Sequence, residues 1–256
     1  VPFSGAFHFF PASIMQSTIH LEILPQPDDI TCGPTCLHAV YNYYEDERSL
    51  MQVIDEAPKL ADGGTLAVLL GHHALANGYD ATLYTYDVKV FDPTWFQSPR
   101  IDLQAKLREQ IKHKDGKKIR FASEAYLRFL SLGGKITFED LKPALIRRLL
   151  KHGTPILTGL CATYLYHTAR EIEQGSRMIY DDIRGVPVGH FVVLCGYNMK
   201  EKTARVADPL MPNPVSDTQI YEVELNHLIC SIMLGILTFD ANLLVITPGR
   251  KRRGRH

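Results

Sequence analysis

Cys32, His190 and Asp208 follow one another along the chain in an order that can supply a nucleophile, a proton carrier and an orienting carboxylate, with Gln26 ahead of them. Pro34 lacks an N–H and is tolerated only in a first helical turn, so the stretch Cys32-Gly33-Pro34-Thr35-Cys36 predicts a helix starting at about Cys32 or Gly33. A thiol placed there meets unpaired N–H groups and the positive end of the helix dipole. Both favour the thiolate, which is the form that attacks a carbonyl carbon. The preceding loop, Pro25-Gln26-Pro27-Asp28-Asp29, has turn composition. If compact, it returns the Gln26 amide toward Cys32, where amide and Cys32 backbone N–H would form an oxyanion hole.

His190 stands out among eleven histidines because it opens the apolar run His190-Phe191-Val192-Val193-Leu194-Cys195-Gly196-Tyr197. Such a run reads as a strand buried on both faces, and an imidazole at its edge needs a partner. A turn at Asn198-Met199-Lys200-Glu201 leads into Thr203-Ala204-Arg205-Val206-Ala207-Asp208-Pro209, which makes a hairpin. A centre near 199–200 sets His190 opposite residue 208 or 209, and facing residues have Cβ atoms about 4.5–5.5 Å apart. Asp208 can then hold one imidazole nitrogen while the other faces Cys32.

The elements that must carry these residues are legible from periodicity. The first helix runs from Cys32 to Tyr44, with Cys36, Leu37, Val40, Tyr41 and Tyr44 on its apolar face. Helices are expected near 47–56, 65–77, 101–113 and 120–131, with a strand at Ala81 to Tyr86 between the second and third. Thr137 and Asp140 resemble a capping box, which predicts another helix that Gly153 closes. Strand signals follow at Pro155 to Leu160, Val188 to Tyr197, Thr203 to Ala207 and Leu243 to Thr247, with a helical stretch near 222–234. Helices first and strands later argue for an α+β fold in which helices cover an antiparallel sheet. No repeat or Gly/Ser linker divides the chain. Residues 1–249 therefore read as one domain with a helical insertion at about 50–152, followed by a solvated basic tail at 250–256.

Gln26, Cys32-Gly33 and their helix, then Gly189-His190-Phe191-Val192-Val193-Leu194, Ala207-Asp208-Pro209 and Asn242-Leu243-Leu244-Val245-Ile246 together resemble the bacteriocin-processing cysteine peptidases, the family that removes double-glycine leaders. The resemblance covers about 21–48, 154–161 and 186–248. It implies a papain-like fold, Cys32 as nucleophile, His190 as general base and acid, Asp208 as orienting group and Gln26 as oxyanion donor. Two departures bear on substrate. Cys32 and His190 stand farther apart than in compact leader-processing domains, nearer the roughly 130–150 residues of the papain type. Thr31 occupies a place that is usually acidic in that family.

Composition narrows the partners. Lys plus Arg and Asp plus Glu number 28 each, so no overall field recruits nucleic acid or an anionic membrane. The longest nearly apolar stretch, Leu228 to Phe239, is short of the roughly 20 residues that span a bilayer. Five cysteines, an odd number, suit a reducing compartment, which makes the cytoplasm the expected location. Cys36, Cys195 and Cys230 lie on apolar elements and read as small buried hydrophobes. Cys32 and Cys36 lack the second Cys/His pair of a zinc site, and His72-His73 lacks the glutamate of a helical zinc motif. Neither metal nor cofactor is expected. The reading is a cysteine hydrolase acting on an amide bond of a peptide or protein. Acyl or peptidyl transfer by the same residues, and a silent peptide-binding module of the same fold, remain open.

Overall fold

Every residue from Cys32 to Tyr41 is buried, so the helix that begins at the cysteine runs through the core. The computed structural model describes residues 16–60, 64–174, 177–238 and 240–249. Its elements are β1 (Gln16–Thr18), α1 (Cys32–Tyr43), α2 (Leu50–Glu56), α3 (Ala67–Ala76), β2 (Tyr79–Thr85), α4 (Leu103–His113), α5 (Lys117–Ser131), β3 (Lys135–Thr137) and α6 (Pro143–Lys151). The second half continues with β4 (Ile156–Cys161), α7 (Ala162–Leu165), β5 (Glu171–Gln174), β6 (Arg177–Tyr180), β7 (Gly189–Asn198), β8 (Thr203–Ala207), β9 (Ile220–Glu224), α8 (Leu225–Leu234) and β10 (Asn242–Pro248). The class is α+β, as expected.

The sheet runs β3-β2-β10-β4-β7-β8-β9, with β1 added on β7. Its pairings are antiparallel apart from β2 with β3. Strands β5 and β6 form a separate hairpin. Helix α1 packs on β7, α3 lies on β2 and β10, and α8 lies on β4. Burial of Leu37, Val40 and Tyr41 along α1 anchors this arrangement, at roughly 1.5–3 kcal/mol for each large apolar side chain removed from water. The first turn of α1 comes so close to its surroundings that only glycine fits at 33. A Cβ there would stand 2.5 Å from Thr65 Cγ2 and 3.2 Å from the Phe191 ring.

Three local expectations need correction. The helix expected after Thr137 begins only at Pro143, and Thr137 ends β3. Proline forces its predecessor out of the α region, and Lys142 sits at φ −118°, ψ 155°. Within 50–152 the strand expected at Ala81 to Tyr86 is present as β2, which pairs along its whole length with β10, and a second strand, β3, stands beside it where none was expected. The helical stretch near 222–234 divides at Glu224. Strand β9 ends there, and the Glu224 carboxylate accepts the His227 N–H at 2.8 Å to start α8.

Among the described residues no helix is long and apolar enough to cross a membrane. The basic stretch 250–256 lies outside the described residues.

Candidate active site

Cys32 is the first residue of α1, where helix geometry leaves its N–H and that of Gly33 without intrahelical acceptors. The loop before it is held by its own polar groups. The Ile30 N–H donates to Asp28 Oδ1 at 3.1 Å, and the Thr31 hydroxyl donates to the Asp28 carbonyl at 3.2 Å. The Gln26 backbone N–H then donates to the Pro209 carbonyl at 2.9 Å, tying this loop to the chain just beyond β8.

His190 lies near the start of β7, buried between β4 and β8. Its Nε2 donates to Asp208 Oδ1 at 2.8 Å, and Cys32 lines the same cavity as the ring. Burial alone would lower its pKa. The Asp208 charge and hydrogen bond, reinforced by Cys32, outweigh burial and push it up to about 10. The structure therefore brings Cys32, His190 and Asp208 together.

Asp208 is fully buried and richly supplied with donors. Oδ1 accepts the His190 Nε2–H and the Leu210 N–H at 3.0 Å. Oδ2 accepts the Tyr166 hydroxyl at 2.8 Å, the Tyr221 hydroxyl at 2.7 Å and the Asn213 amide at 3.0 Å. Burial would raise the pKa of this carboxyl, but the His190 charge and these hydrogen bonds hold it below the usual aspartate value. Sequence reasoning missed Tyr166, Tyr221 and Asn213. They come from the end of α7, from β9 and from the β8–β9 connection, and no spacing links them to Asp208.

The hairpin register also differs from expectation. A bulge between Leu194 and Gly196 shifts the β7–β8 ladder, which pairs Val193 with Ala207 at its end. That register sets Val192 opposite Asp208, so His190 reaches Asp208 diagonally along the same face rather than directly across. Gly196 permits the bulge where β1 closes in, since a Cβ there would lie 2.8 Å from the Ser17 carbonyl.

Gln26 is placed differently from the other three. Its Nε2 donates to the Asp28 carbonyl at 2.8 Å, within its own loop, and its Oε1 is buried without a partner. It is not a wall of the cavity, about 380 Å³ in volume, that holds Cys32 and His190. Leu66, Gly189, Phe191 and Asp240 help to line that cavity.

The remaining cysteines divide. Cys36 lies one turn below Cys32 and donates to the Phe191 carbonyl at 3.2 Å. Burial, then the proximity of Cys32 and Asp208, keeps its thiol well above the usual range. Cys195 donates to the Arg205 carbonyl at 3.6 Å, and burial raises it to about 11. Cys230 is exposed, against the expectation of a buried hydrophobe, because it falls on the outward face of α8. The five cysteines are free thiols.

His72 and His73 are core residues with protein partners. His72 Nε2 meets the Ala125 carbonyl at 2.8 Å, and His73 bridges the Tyr41 hydroxyl at 2.7 Å and Glu56 at 3.2 Å. Among the described residues no three His, Cys, Asp or Glu side chains are grouped to hold a metal ion. An imidazole held by a carboxylate in the cavity that also holds a thiol is an arrangement that can move a proton to and from sulfur.

Three solved structures resemble this one over nearly its whole length. A double glycine motif protease from an AMS/PCAT transporter, crystallised in complex with the leader peptide, is 14% identical, with TM-score 0.43, covering 91% of this chain and 94% of that one. A C39-like peptidase from Bacillus anthracis is 13% identical, with TM-score 0.47, covering 90% and 97%. Xylellain, a cysteine protease from Xylella fastidiosa, is 12% identical, with TM-score 0.45, covering 98% and 95%. No curated protein matches the chain. The sequence model of the Peptidase_C39 like family matches residues 18–228, a span that includes Cys32, His190 and Asp208. With a helix-borne cysteine set against a mostly antiparallel sheet in an α+β fold, the chain belongs to the Peptidase_C39-like family.

Proposed function

We propose that the protein is a cysteine peptidase in which Cys32, His190, Asp208 and Gln26 do the chemistry. The observation that carries this reading is the placement of His190, whose Nε2 is held by buried Asp208 at 2.8 Å and which lines one cavity with Cys32. An imidazole in this setting favours the protonated form, which can later donate its proton.

The Cys32 sulfur attacks the carbonyl carbon of a peptide bond, and negative charge develops on the carbonyl oxygen. The free N–H groups at the start of α1 and the second Nε2 hydrogen of Gln26 stabilise that charge. His190 gives its proton to the leaving amine as the carbon–nitrogen bond breaks, leaving a thioester on Cys32. Water, deprotonated by His190, then opens the thioester and restores the thiol. Asp208 keeps the ring oriented and supports its positive charge throughout.

Digestion of a random peptide library by wild type and by Cys32→Ala tests this. New termini in the wild-type digest that vanish in the variant support the reading; identical digests overturn it.

A further inference from the structure

Asp240 shares its cavity with Cys32 and His190, although none of the chemistry above uses it. It is 6% exposed and immediately precedes Ala241 and β10. Its position is built by close contacts on several sides. Its backbone N–H donates to the Gly235 carbonyl at 3.0 Å, and its Oδ1 accepts the Ala67 N–H at the start of α3 at 2.9 Å. Gly159 of β4 leaves room beneath it, since a Cβ at 159 would come within 2.6 Å of the Asp240 Cβ and 2.8 Å of its carbonyl.

The charges around the cavity are one-sided. Asp29 joins Asp240 in its lining, no lysine or arginine lines it among the described residues, and His190 is already matched by Asp208. A carboxyl so buried, with Asp87 as an acidic neighbour, is driven well above the usual aspartate range. A cation arriving with the substrate would meet there only the His190 charge, which Asp208 offsets, and would relieve the cost of ionising Asp240.

We propose that Asp240 is a specificity residue that selects a lysine or arginine side chain of the peptide, seated in the cleft beside the scissile bond. The inference rests on the peptidase reading and names its substrate class. Asp240 touches substrate in this account and takes no part in bond breaking.

The test uses the full chain and the peptide-library digest, with wild type, Cys32→Ala, Asp240→Asn and Asp240→Ala compared. Asparagine keeps an oxygen to accept the Ala67 N–H, so the melting temperature of Asp240→Asn stays near wild type even if alanine unfolds the protein. The expected result is enrichment of Lys and Arg at one fixed position relative to the Cys32-dependent cuts. For a matched peptide pair with lysine or norleucine at that position, wild type prefers lysine by at least tenfold in kcat/KM, and Asp240→Asn loses the preference. Cys32-dependent cuts with no basic enrichment, or with an enrichment that Asp240→Asn retains, overturn the inference and leave the peptidase reading standing. Absence of any Cys32-dependent cut overturns both.

Discussion

His190 and Asp208 meet at 2.8 Å on a diagonal of the β7–β8 hairpin, two residues away from direct opposition. Asp208 lies just past the ladder, so side chains hold its carboxylate. The Tyr166 and Tyr221 hydroxyls and the Asn213 amide converge on one oxygen and leave the other to His190 and the Leu210 N–H. The aspartate is thus aimed by residues from three separate elements, of which Tyr166 is the most distant in sequence.

Removing either hydroxyl tests that positioning role. Tyr166→Phe and Tyr221→Phe each delete a hydrogen bond to a charged group, expected to cost about 1.5–3 kcal/mol and lower the melting temperature. Loss of a donor raises the Asp208 pKa, so acid unfolding of each variant should begin at a higher pH than in wild type. A melting curve that drops with no change in the acid transition would indicate packing alone.

Stability should also depend on pH at the other end. His190 is raised from 6.5 to about 10 in the folded state, so its contribution is complete below pH 6.5 and fades as pH climbs through about 10. Asp208 is shifted the opposite way, below its ordinary 3.8, so its contribution is present above that pH and lost as pH falls through the lowered value. Melting temperatures of wild type and His190→Gln between pH 6 and 10.5 should converge as pH rises. A constant gap would contradict the His190–Asp208 pairing.

Much of this arrangement is legible in the sequence because single residues fix it. Pro34 permits only a helix start near Cys32, and α1 begins at Cys32. The apolar run after Gly189 is long enough to be a central strand, and Thr203 to Ala207 is β8 as read. The bulge near Leu194 is not legible, because it arises where β1 and β8 flank Gly196 and so depends on distant chain. The same holds for the three-residue strands β1 and β3 and for the ring of donors around Asp208, all set by tertiary packing rather than local pattern. The capping signal at Thr137 failed because Pro143 imposes a later start.

Gln26 gives a separate kinetic prediction. If one of its Nε2 hydrogens serves the developing oxyanion while Asp28 holds the other, Gln26→Ala should lower kcat about 10²–10³-fold with KM little changed. Steady-state kinetics on any library-derived substrate reads this. A change confined to KM would place Gln26 in substrate binding instead.

The coupling of sulfur to imidazole can be read without any substrate. In a Cys230→Ser background, which removes the exposed thiol, iodoacetamide labelling followed by peptide mass mapping ranks the four remaining cysteines by rate. Cys32 should label first, well ahead of Cys36 and Cys195, whose thiols burial holds protonated, and His190→Ala should slow Cys32 at neutral pH by at least tenfold. Labelling of Cys32 at the same rate with and without His190, or after Cys36, would contradict the account.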